Sequence, residues 1–213
     1  MASLALVLYL LGLVLAFGWR SLAQWRATGD TGLRLDAGPV GSTAWWAKLL
    51  FVAALLLGAA GPAAGLAGLP VVGILDIGWL QAAGLVVAVA GVAATLAAQL
   101  QMGASWRVGV DPHERTALVT TGAFALARNP IFTAMAATSA GLAAMVPNPV
   151  SLAATAVLIT SIQMQVRAVE EPYLLRSHGT DYRRYAAVVG RFWPGVGRLP
   201  ATSSRRDARG AGR

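Results

Sequence analysis

Hydrophobic and polar positions alternate in long blocks along this chain, and the blocks predict membrane-spanning helices. Residues 2–19 carry no charge; as a helix they would extend about 27 Å, near the thickness of a bilayer's hydrocarbon core. A second apolar run, about 44–61, opens on Trp45 and Trp46 and carries Lys48, whose ammonium can snorkel to an interface. Residues 62–76 are rich in Gly and Pro and read as a connection. A third run, 77–101, has small residues four apart (Gly84 and Ala88, Gly91 and Thr95), a spacing that lets helix backbones approach closely. Residues 103–129 are polar. Two more apolar runs, 130–146 and 149–168, follow, separated by Pro147-Asn148-Pro149. Each opens on Asn-Pro, which suits an N-cap followed by a first helical position, so together they predict a tight transmembrane hairpin. Beyond Glu171, Pro172 should start a fresh short helix that Gly179 ends. Thr180 or Asp181 should then cap a further turn carrying Tyr182 and Tyr185, an amphipathic region suited to the membrane surface.

The expected fold is therefore an all-α integral membrane protein of about five transmembrane helices, with a hairpin made by spans four and five and a short amphipathic C-terminal helical region. Residues 1–101 would form three N-terminal spans, 102–195 a core of loop, two spans and C-terminal helices, and 196–213 a disordered basic tail.

Charge placement orients this arrangement. Loops 20–43 and 103–129 contain arginines, and ten of the sixteen arginines lie at or after Arg167, whereas 62–76 and 147–149 hold no Lys or Arg. The positive-inside rule then places the N-terminus outside and the C-terminus inside. The first span has its basic residues, Arg20 and Arg26, after the apolar stretch, so it reads as a retained helix and not a signal peptide. Trp19, Trp25, Trp45, Trp46, Trp79 and Trp106 fall at or just beyond span ends, where a bilayer interface favours them. The protein would sit in the plasma (inner) membrane with its polar face in the cytoplasm.

The composition narrows the chemistry. Only 12% of residues are charged and 56% are hydrophobic, about half the charge of a soluble domain. Cysteine is absent, which removes thiolate nucleophiles, disulfides and Cys-bound metals. The two histidines, His113 and His178, are far apart in sequence, so no metal site is expected. The net charge of +8 fits anionic lipid better than nucleic acid, since the basic residues cluster beside apolar spans without a folded RNA-binding module.

Chemistry concentrates at one membrane level, where the 103–129 loop, the Asn129-Pro130 helix start and the Arg167/Glu170/Glu171 cluster should converge. At helical spacing Arg167 would pair with both carboxylates. The N-terminus expected just after Arg128 and Asn129 offers free N–H groups and a positive dipole end, which suit an anion: a substrate or cofactor carboxylate, or a lipid phosphate.

The segments LVTTGAFALARNPIF (Leu118–Phe132) and RAVEEPYLLRSHGTDYRRYAAVVGRFWPG (Arg167–Gly195) together resemble the isoprenylcysteine carboxyl methyltransferase family, integral membrane enzymes that use S-adenosylmethionine. The resemblance covers roughly residues 103–195. It implies a cofactor site at Thr116, Ala117, Leu118, Val119 and Phe124, and at Asn129, Pro130, Ile131 and Phe132, which open the next helix. It further implies Arg167 near the substrate and Glu171, with Glu170 beside it, on the cofactor; Arg167 and Glu171 are the expected catalytic pair. Asn129 stands where the family often has His, and Phe124 and Phe132 stand where it often has Tyr. Tyr182, Tyr185 and Arg191 are expected to serve packing and interface roles. The implied activity is transfer of a methyl group (EC 2.1.1 class) to a lipophilic acceptor, a small molecule or a lipid-modified one, with a carboxylate of the isoprenylcysteine kind as the expected group. A sterol-type membrane reductase using NADPH and a non-enzymatic membrane scaffold are the competing readings.

Overall fold

The computed structural model describes residues 1–34, 38–109 and 117–200. The described residues are helical, with two isolated bridges and no strand. Helix α1 runs over Ala2–Thr28, α2 over Thr43–Leu66 and α3 over Gly78–Met102. A single turn, α4, follows at Ala123–Leu126, then α5 at Pro130–Met145, α6 at Pro149–Met164 and α7 at Glu171–Val188.

Four helical segments among the described residues are long and apolar enough to cross a membrane: Ala2–Thr28, Thr43–Leu66, Gly78–Ser105 and Pro149–Val188. The expected fourth span, α5, is apolar but has only 16 residues, about 24 Å of helix. Helix α5 packs closely against α3 and also against α6. The chain is an integral membrane protein. Its surface matches that environment, with Leu10, Val14, Leu56, Val86 and Val89 all exposed.

Glycine contacts explain the pairing of helices. A side chain at Gly84 would strike the Gly141 carbonyl, and one at Gly91 would strike Thr138; Gly141 in turn lies against Ala88. The small residues of α3 therefore face α5 at backbone distance. In the same way Gly61 of α2 lies against Ser151 of α6. In hydrocarbon, where burial of apolar surface gains nothing between helices, such close van der Waals packing is what drives association.

Several boundaries differ from those expected. Helix α1 continues past Trp19 to Thr28, with a π-helical stretch at Val14–Trp19. Its extra turns are held by polar bonds: an Arg20 guanidinium N–H donates to the Gly103 carbonyl (2.7 Å) and Gln24 Nε2 to that of Ala104 (2.9 Å). Helix α2 runs through Pro62 to Leu66, so residues 62–66 belong to the helix and not to the connection. Gly179 does interrupt the C-terminal helix, with φ 52° and ψ −118°. Pro172, however, does not start a separate element. A π-helical turn at Gln165–Glu170 joins α6 directly to α7, and a widened turn gives the proline ring room that a regular α-turn denies it.

The polar segments gather at one end of the bundle. There Val108 N donates to the Gly32 carbonyl and Arg34 N to that of Val108, while Lys48 Nζ reaches the Arg34 carbonyl (2.8 Å). At the opposite end Val72 N bonds the Pro147 carbonyl, and the Asn148 side chain bonds that of Gly61. Trp106 departs from the expected interfacial position. It is 1% exposed, beneath the Arg20 guanidinium at 4.7 Å from the ring, because the 103–109 segment folds back onto α1. Trp19, Trp25, Trp46 and Trp79 are exposed.

Candidate functional site

The polar end encloses a cavity of about 380 Å³, within the range of small-molecule sites. Its wall draws on every long helix and on the segments between them.

One side is built from the start of α5. Pro130 at the first helical position fixes φ and has no N–H to satisfy, and the following amides, Ile131 and Phe132, receive no side-chain cap. Asn129 was expected to cap them, but its backbone sits at φ −126° and ψ 59°, and its Nδ2 donates instead to the Arg191 carbonyl (3.1 Å). The expected cap is thus corrected: the 190–192 segment competes for Asn129, also taking the Asn129 N–H (3.0 Å) and the Thr133 hydroxyl. The first-turn amides of a 16-residue helix are left facing outward with its positive dipole end.

The second side is the 117–124 segment. Ala117, Leu118, Val119 and Phe124 line the cavity, as do Asn129, Pro130, Ile131 and Phe132. Thr116 lies outside the described residues. Short helix α4 carries Phe124 and is fixed at both ends. Gln101 Oε1 accepts from Ala123 N (2.7 Å), and the Tyr185 hydroxyl donates to the Phe124 carbonyl (2.6 Å). Gly122 precedes it at φ +61°, with Gln101 Oε1 2.4 Å from where a Cβ would lie, so only glycine fits that turn.

Glu170 also lines the cavity, with Gln165 Nε2 donating to its carboxylate (3.2 Å). Arg167 and Glu171 do not belong to the lining. Arg167 is exposed and its Nε donates to Gln163 Oε1 (2.8 Å). The expected Arg167–Glu171 pair does not form, because the π-turn between them carries Glu171 round the helix relative to its α-helical position.

Glu171 has other partners. Arg128 and Arg191 both donate to its Oε1, and Arg191 makes a second bond to Oε2 (2.8 Å each from Arg191). Arg128 also reaches the carbonyls of Ala186 (3.0 Å), Val189 (2.6 Å) and Gly197 (3.0 Å). This triad is nearly dry, with side-chain exposure of 1% for Arg128, 8% for Glu171 and 16% for Arg191. The Glu171 carboxylate beside Arg191 holds that guanidinium's pKa above its ordinary value. Arg191, expected to have a packing role, is a central member of this network. The triad ties the hairpin start to α7 and the 190–197 segment, and so fixes the cavity wall from behind.

The wall also carries polar residues that the sequence did not mark as site residues, among them Lys48, Gln99, Arg107 and Tyr173. Lys48 reads from the sequence as an ordinary snorkelling residue, and Gln99 as one polar position in an apolar run. The folding of 103–109 against α1 brings Arg107 to the same cavity as the others. Among the described residues no group of three or more His, Asp or Glu could hold a metal ion.

Comparison with known proteins adds one match. The sequence model of a family described as phospholipid methyltransferase matches residues 79–181, from α3 through the cavity-lining segments into α7. No curated protein matches the chain.

Proposed function

We propose, from the match of residues 79–181 to the phospholipid methyltransferase family model and the resemblance to the isoprenylcysteine carboxyl methyltransferases, that this membrane protein is a methyltransferase that uses S-adenosylmethionine to methylate a lipophilic acceptor. The acceptor group is a carboxylate of the isoprenylcysteine kind. The observation that carries the proposal is the cavity itself: the matched stretch supplies both of its cofactor-type walls, at the polar end of an otherwise apolar bundle.

The residues present fit such a cofactor. Uncapped amides of Ile131 and Phe132 at a helix N-terminus suit a carboxylate, and Phe124, Phe132 and Leu118 offer apolar faces to a base. Ala117 and Val119 complete that side, with Thr116 adjoining it in sequence. Asn129 and Pro130 set the approach of the helix, and Glu170 is the carboxylate on the wall able to accept from an amino or ribose group. When bound, S-adenosylmethionine supplies a methyl group on a positively charged sulfur.

The protein's part is then alignment and exclusion of water. An acceptor that is already an anion needs little acid–base help, so holding it in line behind the methyl group provides most of the rate. Lys48 and Arg107 lie on the wall and take the carboxylate-holding role that the resemblance implied for Arg167. Glu171 acts one layer back, as the counter-ion that positions Arg128 and Arg191. The cavity opens on the cytoplasmic side of the plasma membrane, a reading that the arginine-bearing connections at the polar end support, and acceptors enter from the lipid. Membrane lipids surround the bundle; nucleic acid has no place in this account.

Incubation of the purified protein with radiolabelled S-adenosylmethionine and a total lipid extract tests the reading. Label should appear in an organic-soluble product. No labelled product from folded protein, together with saturable NADPH binding, would favour the reductase reading instead.

A further inference from the structure

Where α1, α2 and α3 form the cavity wall, it is largely apolar: Phe17, Phe51, Leu55 and Met102. Two uncharged polar side chains stand beside it, Gln99 of α3 and Ser161 of the adjoining α6. Ser161 donates its hydroxyl proton to the Ala47 carbonyl (2.9 Å). Gln99 is different.

Gln99 is 2% exposed, and its Nε2 donates to the Ala16 carbonyl (3.0 Å). That bond fixes which way the amide faces, since the reverse orientation would set two carbonyl oxygens against each other. The remaining atom, Oε1, is buried and has no hydrogen-bond partner among the described residues. A buried acceptor left unmade is costly, and structures retain one where something else completes it. Here the side chain lines a ligand-sized cavity.

We infer that Gln99 is a specificity-determining residue whose Oε1 accepts a hydrogen bond from an N–H or O–H of the methyl acceptor. The inference rests on the methyltransferase reading and refines its substrate class. The acceptor is a lipophilic molecule with a protic group close to the methylated carboxylate, not a plain long-chain fatty acid, whose anion has no donor to offer. The cofactor is the poorer partner, because the walls that suit it are the α5 start and the 117–124 segment. Gln99 is instead tied to α1 and set among Phe17, Leu55 and Met102, surfaces that suit a greasy acceptor. A site built around such a bond discriminates strongly against analogues that lack the donor.

The experiment uses the full chain in detergent micelles, with the acceptor identified from the lipid extract and purified as the probe. Gln99→Met removes both polar atoms, and Gln99→Asn keeps the amide's donor and acceptor on a side chain one methylene shorter. Gln99→Met should lower kcat/KM for the acceptor at least about tenfold, mainly through KM, with S-adenosylhomocysteine affinity unchanged within about twofold. Gln99→Asn should recover part of the loss. Mass spectrometry should find an N–H or O–H within a few bonds of the new methyl group. Unchanged acceptor kinetics in Gln99→Met, equal losses in both variants with equal falls in Tm, a loss of S-adenosylhomocysteine binding, or a product made from a plain fatty acid would each overturn the inference. Absence of methylation by the unaltered protein would defeat the proposed function and this inference together, whereas normal wild-type turnover with any of those four results defeats this one alone.

Discussion

Two Asn-Pro pairs open the two arms of the hairpin, and they have diverged in use. Asn148 does what the dipeptide predicts: its side-chain oxygen accepts from Ser151 N (2.9 Å), capping α6, while its Nδ2 donates to the Gly61 carbonyl (2.7 Å). It is wholly buried, with both ends of its amide bonded. Asn129 has the same neighbour and caps nothing. It gives its side chain to the Arg191 carbonyl, leaving the first turn of α5, which lines the cavity, without a side-chain cap. One end of the hairpin is bonded locally, and the other is the end to which the proposed function assigns a ligand. Leaving a helix end unsatisfied is where a fold makes room for binding.

The largest effect should come from the network behind the open end. Glu171→Ala leaves two guanidinium groups in a nearly dry site with no counter-charge. Breaking a buried pair in this way costs on the order of 3–5 kcal/mol. Thermal unfolding in detergent should show a fall in Tm of many degrees, together with weakened S-adenosylhomocysteine binding. A Tm within a degree or two of wild type would show that the triad does not hold the wall.

Next in size, Gly91→Leu should disrupt the α3–α5 contact, where even a Cβ would lie 2.3 Å from the Thr138 hydroxyl. Overpacking of this kind costs roughly 1–3 kcal/mol, read as a lower midpoint in a denaturant series. An unchanged midpoint would mean the two helices do not meet there.

The two asparagines sharpen the comparison directly. Asn148→Ala should lose about 1–2 kcal/mol through the cap and the bond to Gly61, while leaving cofactor affinity alone. Asn129→Ala should lose about 1 kcal/mol or less of stability but lower S-adenosylhomocysteine affinity several-fold. Similar profiles for both variants, with calorimetry and melting measured side by side, would erase the functional distinction between the two ends.

Smallest of all should be Arg167→Ala. An exposed side chain bonded to a neighbour on its own helix contributes within about 0.5 kcal/mol. Turnover should stay within about twofold of wild type; a collapse in kcat would return Arg167 to the reacting centre.

Hydropathy made the bundle legible in advance, since long uncharged stretches leave a chain few choices of environment. The Asn148 cap was equally legible because its partners are three residues away. What the sequence hid depends on distant segments. Arg167 and Glu171 look like a helical pair until the π-turn between them is seen. Trp106 looks interfacial until 103–109 folds onto α1. Asn129 looks like a cap until residues 190–192, about sixty positions later, claim it. Arg191 and Gln99 gave no local signal for the same reason. Among the site residues expected from the sequence, those near the α5 start and in 117–124 come together around one cavity, because both segments are anchored to α3 or α7 by short polar bonds.

The most direct test is titration calorimetry of the purified full chain with S-adenosylhomocysteine, with Ile131→Pro alongside to remove one open α5 amide. Proline is tolerated in the first helical turn, so the variant should stay folded. Saturable binding by the wild type, weakened at least several-fold in Ile131→Pro at nearly unchanged Tm, is the expected result. No heat of binding from folded wild-type protein at about 1 mM ligand, a concentration at which even a −4 kcal/mol interaction registers, would contradict the account.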